Sequence, residues 1–93
     1  MPIGVMTLAI RIPTAHSLKE KRSVLRKVRD RLQSRFNVAL AELDYQDVWQ
    51  RSTMGVVSIS SSRNNLEFTF QTVLAESEKI LGPDLIDHQL EFF

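Results

Sequence analysis

Eight lysines and arginines stand between Ser17 and Phe36 against only two carboxylates, Glu20 and Asp30. That is a local balance of +6 in a 93-residue chain whose net charge is +1, so the remainder carries −5. Placed on a helix at about 100° per residue, Lys19, Arg22, Arg26 and Arg29 fall along one side of the solvent face, and Lys27, Arg31 and Arg35 along the other. A row of that kind can track phosphates, and its field raises encounter rates with any polyanion without specifying one. An ordinary solvated helix face is the competing use, but it normally carries acidic partners at i+4, and these are nearly absent here. The same field would attract the acidic half of another copy. Lys21 projects instead toward the apolar stripe, where a long stem can lie on apolar surface with its ammonium in water. A positioned ligand-binding lysine is the other reading.

A second segment with chemical potential is Asp44-Tyr45-Gln46-Asp47-Val48-Trp49-Gln50-Arg51-Ser52. It joins two strand-like stretches, is longer than the two to five residues usual for a hairpin loop, and contains neither glycine nor proline. Its single tryptophan, flanked by Gln50 and Arg51, could stack on a base or anchor a protein partner. Alternatively Tyr45, Val48 and Trp49 fold back over an end of the core, with Arg51 paired to Asp44 or Asp47. His16 and His88 are the only histidines, stand in different elements and belong to no HxxxH, HxH or His-carboxylate motif, so no metal is expected. GxSxG and glycine-rich phosphate loops are also missing, since Gly4, Gly55 and Gly82 are isolated. These absences lead us to expect a protein that is not an enzyme and needs no cofactor.

The elements that must position these groups follow from periodicity. Met6, Leu8, Ile10 and Ile12 alternate with Thr7, Ala9 and Arg11, predicting a first strand over Ile3–Ile12 that Pro13 ends. Ser17 and Glu20 form a capping box that starts a helix, and Leu18, Val24, Leu25, Val28, Leu32 and Phe36 form its apolar stripe up to a stop at Asn37. Val38–Leu43 and Met54–Ser60 read as neighbouring antiparallel strands. Polar Ser61–Asn65, then Leu66, Phe70, Val73, Leu74, Ile80 and Leu81 before Gly82-Pro83, predict a second helix with an acidic outer face. Ile86, His88, Leu90 and Phe92 alternate with Asp87, Gln89 and Glu91 as a last, half-buried strand, with His88 facing the core.

Strand, helix, strand, strand, helix, strand over 93 residues predicts one α+β domain of ferredoxin-like βαββαβ plan. The expected four-stranded antiparallel sheet has the order 4-1-3-2 and both helices on one face, the first and third strands central and, by the crossover rule, parallel to each other. One core should hold Leu8, Ile10, Leu25, Val28, Leu32, Phe70, Val73 and Leu90. The other sheet face is left bare and is predicted to carry Val5, Thr7, Ala9, Arg11, Met54, Val56, Ser58, Asp87, Gln89 and Glu91. Its apolar members, Val5, Ala9, Met54 and Val56, are the expected contacts for self-association into a homo-oligomer. Small phosphatases of this fold place a glycine-rich loop where this chain has Pro13-Thr14-Ala15-His16, and RNA-recognition motifs place aromatic residues on the open sheet, where none is predicted here. Any nucleic-acid contact is therefore expected on the basic helix and the loop. Absence of cysteine, of a basic leader and of an apolar run near 20 residues points to a cytoplasmic chain with no membrane partner.

The segments Ser17-Leu18-Lys19-Glu20-Lys21-Arg22, Phe36-Asn37-Val38-Ala39 with Ala41-Glu42, and Asp44 through Gly55 resemble the YlxP-like family, small bacterial proteins of unknown function. The resemblance covers nearly the whole chain and implies the same ferredoxin-like fold. Because family members often lie beside genes for transcription, translation initiation and ribosome maturation, it also implies a structured RNA or the ribosome as partner. It carries over no catalytic residue. The expected nucleic-acid-binding set is Lys19, Lys21, Arg22, Arg26, Arg29, Gln46, Trp49, Gln50 and Arg51; a self-associating protein-interaction module without nucleic acid is the alternative.

Overall fold

The computed structural model describes residues 2–93, in the order β1 (Ile3–Arg11), α1 (Leu18–Arg35), β2 (Ala39–Asp44), β3 (Arg51–Ile59), α2 (Arg63–Leu81), a 3₁₀ turn (Gly82–Asp84) and β4 (Leu85–Phe92). The strands form a four-stranded sheet ordered β2-β3-β1-β4, which is the predicted 4-1-3-2 read from the other edge. All three neighbouring pairs are antiparallel, including the central pair β1 and β3. The expected parallel central pair is therefore wrong. Each crossover helix skips one strand, so the parallel relationships that right-handedness governs are β1 with β2 and β3 with β4, each across an intervening strand.

Local chemistry sets the helix limits. Ser17 Oγ accepts the Glu20 N–H at 3.0 Å, as a capping box requires. The reciprocal bond is displaced by one residue, since the Glu20 carboxylate accepts from the His16 N–H. Phe36 is extended and closes α1, its N–H reaching the Leu32 carbonyl at 2.9 Å. Ser62 caps α2, and Gly82, with φ of 54°, ends it in a conformation that side chains with a Cβ resist.

Inward residues of β1 and β3 share one core with both helices: Met6, Leu8, Ile10, Met54 and Val56 meet Leu25, Val28, Leu32, Leu66, Phe70 and Val73. Both helices thus cover the same face. Phe70 comes so close to β1 that a Cβ on Gly4 would lie 2.3 Å from its ring. The same ring meets Phe92 edge-on at 6.2 Å, fastening β4 to the layer above it.

Two placements on the sheet depart from expectation. Met54, Val56 and Ser58 are buried and face the helices, because β3 pairs Val56 with Met6 and Met54 with Leu8. Thr53, Gly55, Val57 and Ile59 occupy the open face instead, so the proposed self-association residues reduce to Val5 and Ala9. A one-residue error of phase moves a whole strand's side chains across the sheet, and here both phases contain apolar residues. On β4, Leu90 and His88 lie on the helix side, opposite Met6 and Leu8, yet both are exposed, Leu90 by 36%. As an edge strand β4 is covered only at its ends, where Leu85 and Phe92 are half-buried.

The two helices are joined by charge. Glu76, expected on an acidic outer face, is buried between them and receives Arg35 Nη1 at 2.6 Å, Arg31 Nε at 3.3 Å and Lys79 Nζ at 3.6 Å. Burial acts to raise the carboxyl's pKa, but the Arg31 hydrogen bond and the fields of Arg35 and Lys79 outweigh it and hold the value below the ordinary one. Because the folded-state pKa is depressed, the resulting stabilisation is present above the ordinary value of 4.5 and is lost as pH falls through the folded-state value. Urea unfolding of wild type and Glu76→Gln should accordingly show a gap in midpoint at pH 7 that closes as pH drops below 4.5; a gap independent of pH would separate Glu76 from this linkage. For the core, Leu32→Ala should cost about 2 to 5 kcal/mol in the same assay.

Candidate nucleic-acid interface

Six residues, Tyr45–Gln50, connect β2 to β3, because both strands extend into the segment that reads as a loop in the sequence. Its conformation is set from α1. The Lys21 side chain is completely buried, and its ammonium donates to Glu42 Oε2 at 2.9 Å and to the carbonyls of Tyr45 at 2.7 Å, Gln46 at 3.2 Å and Arg51 at 3.4 Å. Ser52 Oγ donates to the same Glu42 oxygen at 2.7 Å. An ammonium taken out of water must regain both charge and hydrogen bonds, and this arrangement supplies one anion and three carbonyl dipoles. Lys21 neither snorkels nor offers its charge to a ligand.

The remaining loop contacts continue that pattern. Gln50 Nε2 donates to the carbonyls of Pro13 and Ala15 at 3.0 and 3.1 Å, and its own carbonyl accepts the Ile12 N–H at 2.9 Å, tying the loop to the β1–α1 connection. Tyr45 adopts φ of 64°, its N–H held by Asp44 Oδ1 at 2.8 Å and its carbonyl accepting from Val48. The Arg51 guanidinium lies over the Tyr45 ring, 4.3 Å from its centroid, in place of an ion pair with Asp44 or Asp47. Trp49 does not fold back over the core: it is 51% exposed, and Val48 beside it is exposed too.

The cations of α1 divide by the same test. Arg31 and Arg35 are committed to Glu76, and Lys21 to the loop. Arg29 has only the loose, exposed Asp30 at 3.8 Å, while Lys19, Arg22, Arg26 and Lys27 have no carboxylate partner among the described residues. Arg22, Arg26 and Arg29 rim a groove of about 210 Å³ between α1 and the edge strand β2, floored by Leu25, Leu40 and Met54. Of the predicted nucleic-acid set, then, Lys19, Arg22, Arg26 and Arg29 share an exposed face, and Trp49 is displayed at the end of α1 to which its loop is anchored. Gln46 is exposed but engaged through its carbonyl, and Lys21, Gln50 and Arg51 build the loop. Sequence reasoning passed over Glu42 and Ser52, although a carboxylate inside an apolar strand is a signal that a buried cation must lie opposite.

A family model described as a protein of unknown function, DUF503, matches residues 3–89. The chain belongs to this family. Its similarity to the uncharacterised protein YlxP of Bacillus subtilis (strain 168) is 47% identity over 73 residues, 78% of this chain and 79% of that one. Among solved structures it is similar to a dimeric ferredoxin-like protein of unknown function from Thermobifida fusca, with a TM-score of 0.53 and 14% identity across 98% of this chain and 90% of the other. A proposed antibiotic biosynthesis monooxygenase from Bordetella bronchiseptica gives a TM-score of 0.52 at 15% identity, covering 100% of this chain and 96% of that one. At these identities the two structures establish the ferredoxin-like fold alone. No helix among the described residues is long and apolar enough to cross a membrane.

Removing the anchor tests its role in this DUF503 chain. Lys21→Met should cost about 3 to 5 kcal/mol, because Glu42 and the loop carbonyls lose a buried partner. Hydrogen exchange at the Val48 and Ile12 amides, whose acceptors belong to the loop, should accelerate in the same variant. A loss under about 1 kcal/mol with unchanged exchange would mean the loop holds itself.

Proposed function

We propose that this protein is a non-enzymatic binder of structured RNA, free or within the ribosome, acting through Lys19, Arg22, Arg26 and Arg29 with Trp49 beside them. The observation that carries the reading is the unequal use of the helix charges: the inner cations are neutralised by Glu76 and Glu42, while in the outer row Lys19, Arg22 and Arg26 face solvent without carboxylates and Arg29 has only the loose contact with Asp30. Phosphate oxygens would complete that row, giving affinity with little sequence preference. An indole held exposed on an anchored loop offers a stacking surface for an unpaired base, which supplies selectivity at low ordering cost.

Four phosphate contacts from the row should give a log-log salt slope of about −3 to −4. Replacing Arg26 and Arg29 by Glu should weaken binding and flatten that slope for every RNA tested. Trp49→Ala should leave the slope nearly unchanged and reduce affinity for preferred RNAs by about 1 to 3 kcal/mol. Normal binding by the folded charge-reversed variant would defeat the proposal, whereas normal binding by Trp49→Ala would remove only the stacking step.

A second reading, self-association through the open sheet face, is favoured by one specific observation. Leu43, Val57 and Ile59 are 54%, 40% and 47% exposed on the face that no helix covers. The Thermobifida fusca neighbour, described as dimeric, supports it.

A further inference from the structure

We infer that the occupant of the open sheet face is the same face of a second copy, with the two sheets crossed near a right angle; the inference rests on the self-association reading just given. Its basis is the charge pattern of that face. At one end, Arg11 and Arg51 stand directly opposite each other on β1 and β3. Like charges in such a cross-strand pair are unfavourable, and neither has a carboxylate partner among the described residues. Along one edge, Asp87 and Glu91 of β4 lie opposite Ala9 and Val5, with Gln89 between them opposite Thr7. These carboxylates likewise have no cationic partner among the described residues. The rest of the face sets Thr7, Thr53 and, opposite Thr53, Asp44 among apolar Val5, Val57, Ile59 and Leu43, the last so close over β3 that a Cβ on Gly55 would lie 2.7 Å from it.

A symmetric dimer requires a two-fold axis lying between the sheets, and the charges discriminate among the possible axes. An axis along the strands places the arginine end over the partner's arginine end. One across the strands places the acidic β4 over the partner's β4. Both aligned packings therefore set like charge against like. Only a diagonal axis, which crosses the sheets in the orthogonal class of sheet packing, carries an end onto an edge. Of the two diagonals, one brings Arg11 and Arg51 over the partner's Asp87 and Glu91, so that the two Asp87 carboxylates, which meet near the axis, are each flanked by the other copy's Arg11. It also turns the apolar corner at Ala39, Val57 and Ile59 onto its own counterpart. Both helices remain outside, so the cationic rows of the two copies stay free for a polyanion.

Sedimentation equilibrium on the full chain should give a dimer in the micromolar range. Arg11→Glu or Asp87→Lys should each raise the dissociation constant about tenfold or more, and combining the two, which swaps the charges of one contact, should restore it to within a few-fold. The chain has no cysteine, so single introductions report the axis. Ala39→Cys should form an intermolecular disulfide on mild oxidation, and Gln89→Cys should not. Circular dichroism and melting of each variant confirm that the fold is kept. A dimer indifferent to the charge changes, or one crosslinked through Gln89→Cys, overturns the crossed arrangement while leaving self-association intact. Wild-type protein that sediments as a monomer at about 100 μM, a concentration at which even weak dimers form, overturns both.

Discussion

A buried ammonium must find a charge and several dipoles, and the satisfaction of Lys21 organises more of this molecule than any other polar contact. Four elements meet at its Nζ: α1 contributes the lysine, β2 contributes Glu42, the β2–β3 connection contributes the carbonyls of Tyr45 and Gln46, and β3 contributes that of Arg51. Apolar packing alone would bring α1 onto the sheet without specifying the loop, because hydrophobic contact is non-directional. Directional bonds to backbone carbonyls specify it residue by residue. Glu42 is held in turn by Ser52, and Gln50 extends the same scheme to the β1–α1 connection, so one end of the protein is a closed polar network resting on a packed core.

Glu76 performs the complementary task at the interface of the helices. It gathers Arg31 and Arg35 toward α2, which neutralises these two half-exposed cations and leaves Lys19, Arg22 and Arg26 without internal neutralisation. A uniformly solvated basic helix would repel itself along its length. Here Lys21 has Glu42, Arg31 and Arg35 share Glu76, and the uncompensated charge lies mainly on the side that borders the groove above β2, with Lys27 alone on the other.

Periodicity revealed the strands and helices wherever a single phase of the pattern was apolar. Met6, Leu8 and Ile10 in β1 alternate with Thr7, Ala9 and Arg11, Leu25, Val28 and Leu32 in α1 lie on its apolar stripe, and all are buried as read. β3 defeats the method because Ser52 and Ser58 occupy its buried phase while Val57 and Ile59 occupy its open one. Both serines are satisfied there, Ser52 by Glu42 and Ser58 by the Asn37 carbonyl, so burial costs little and hydrophobicity ceases to mark the inside. β4 alternates correctly but is an edge strand, and alternation states which side a residue faces without stating whether anything covers it. The candidate site was legible as a basic helix and an unusual loop. The division of labour within it was not, because the partners of Lys21 are backbone carbonyls, and a carbonyl leaves no trace in a pattern of side-chain types.

Exposure of Trp49 acquires meaning from the same network. Burying the remaining half of an indole would remove about 100 Å² from water, worth about 2.5 kcal/mol at 25 cal/mol per Å². Collapse of the loop onto the core would gain that amount, but Tyr45, Gln46 and Arg51 cannot move inward while their carbonyls hold the Lys21 ammonium. Abandoning that ammonium costs about 3 to 5 kcal/mol, so the anchor exceeds the hydrophobic gain and the ring stays in solvent. An exposed tryptophan on a slack loop would say little about function. One held outward by a buried cation, at the end of the helix that also carries the free cationic row, is a surface maintained against the hydrophobic effect, and a bound base or a partner's side chain would recover the burial that the fold forgoes.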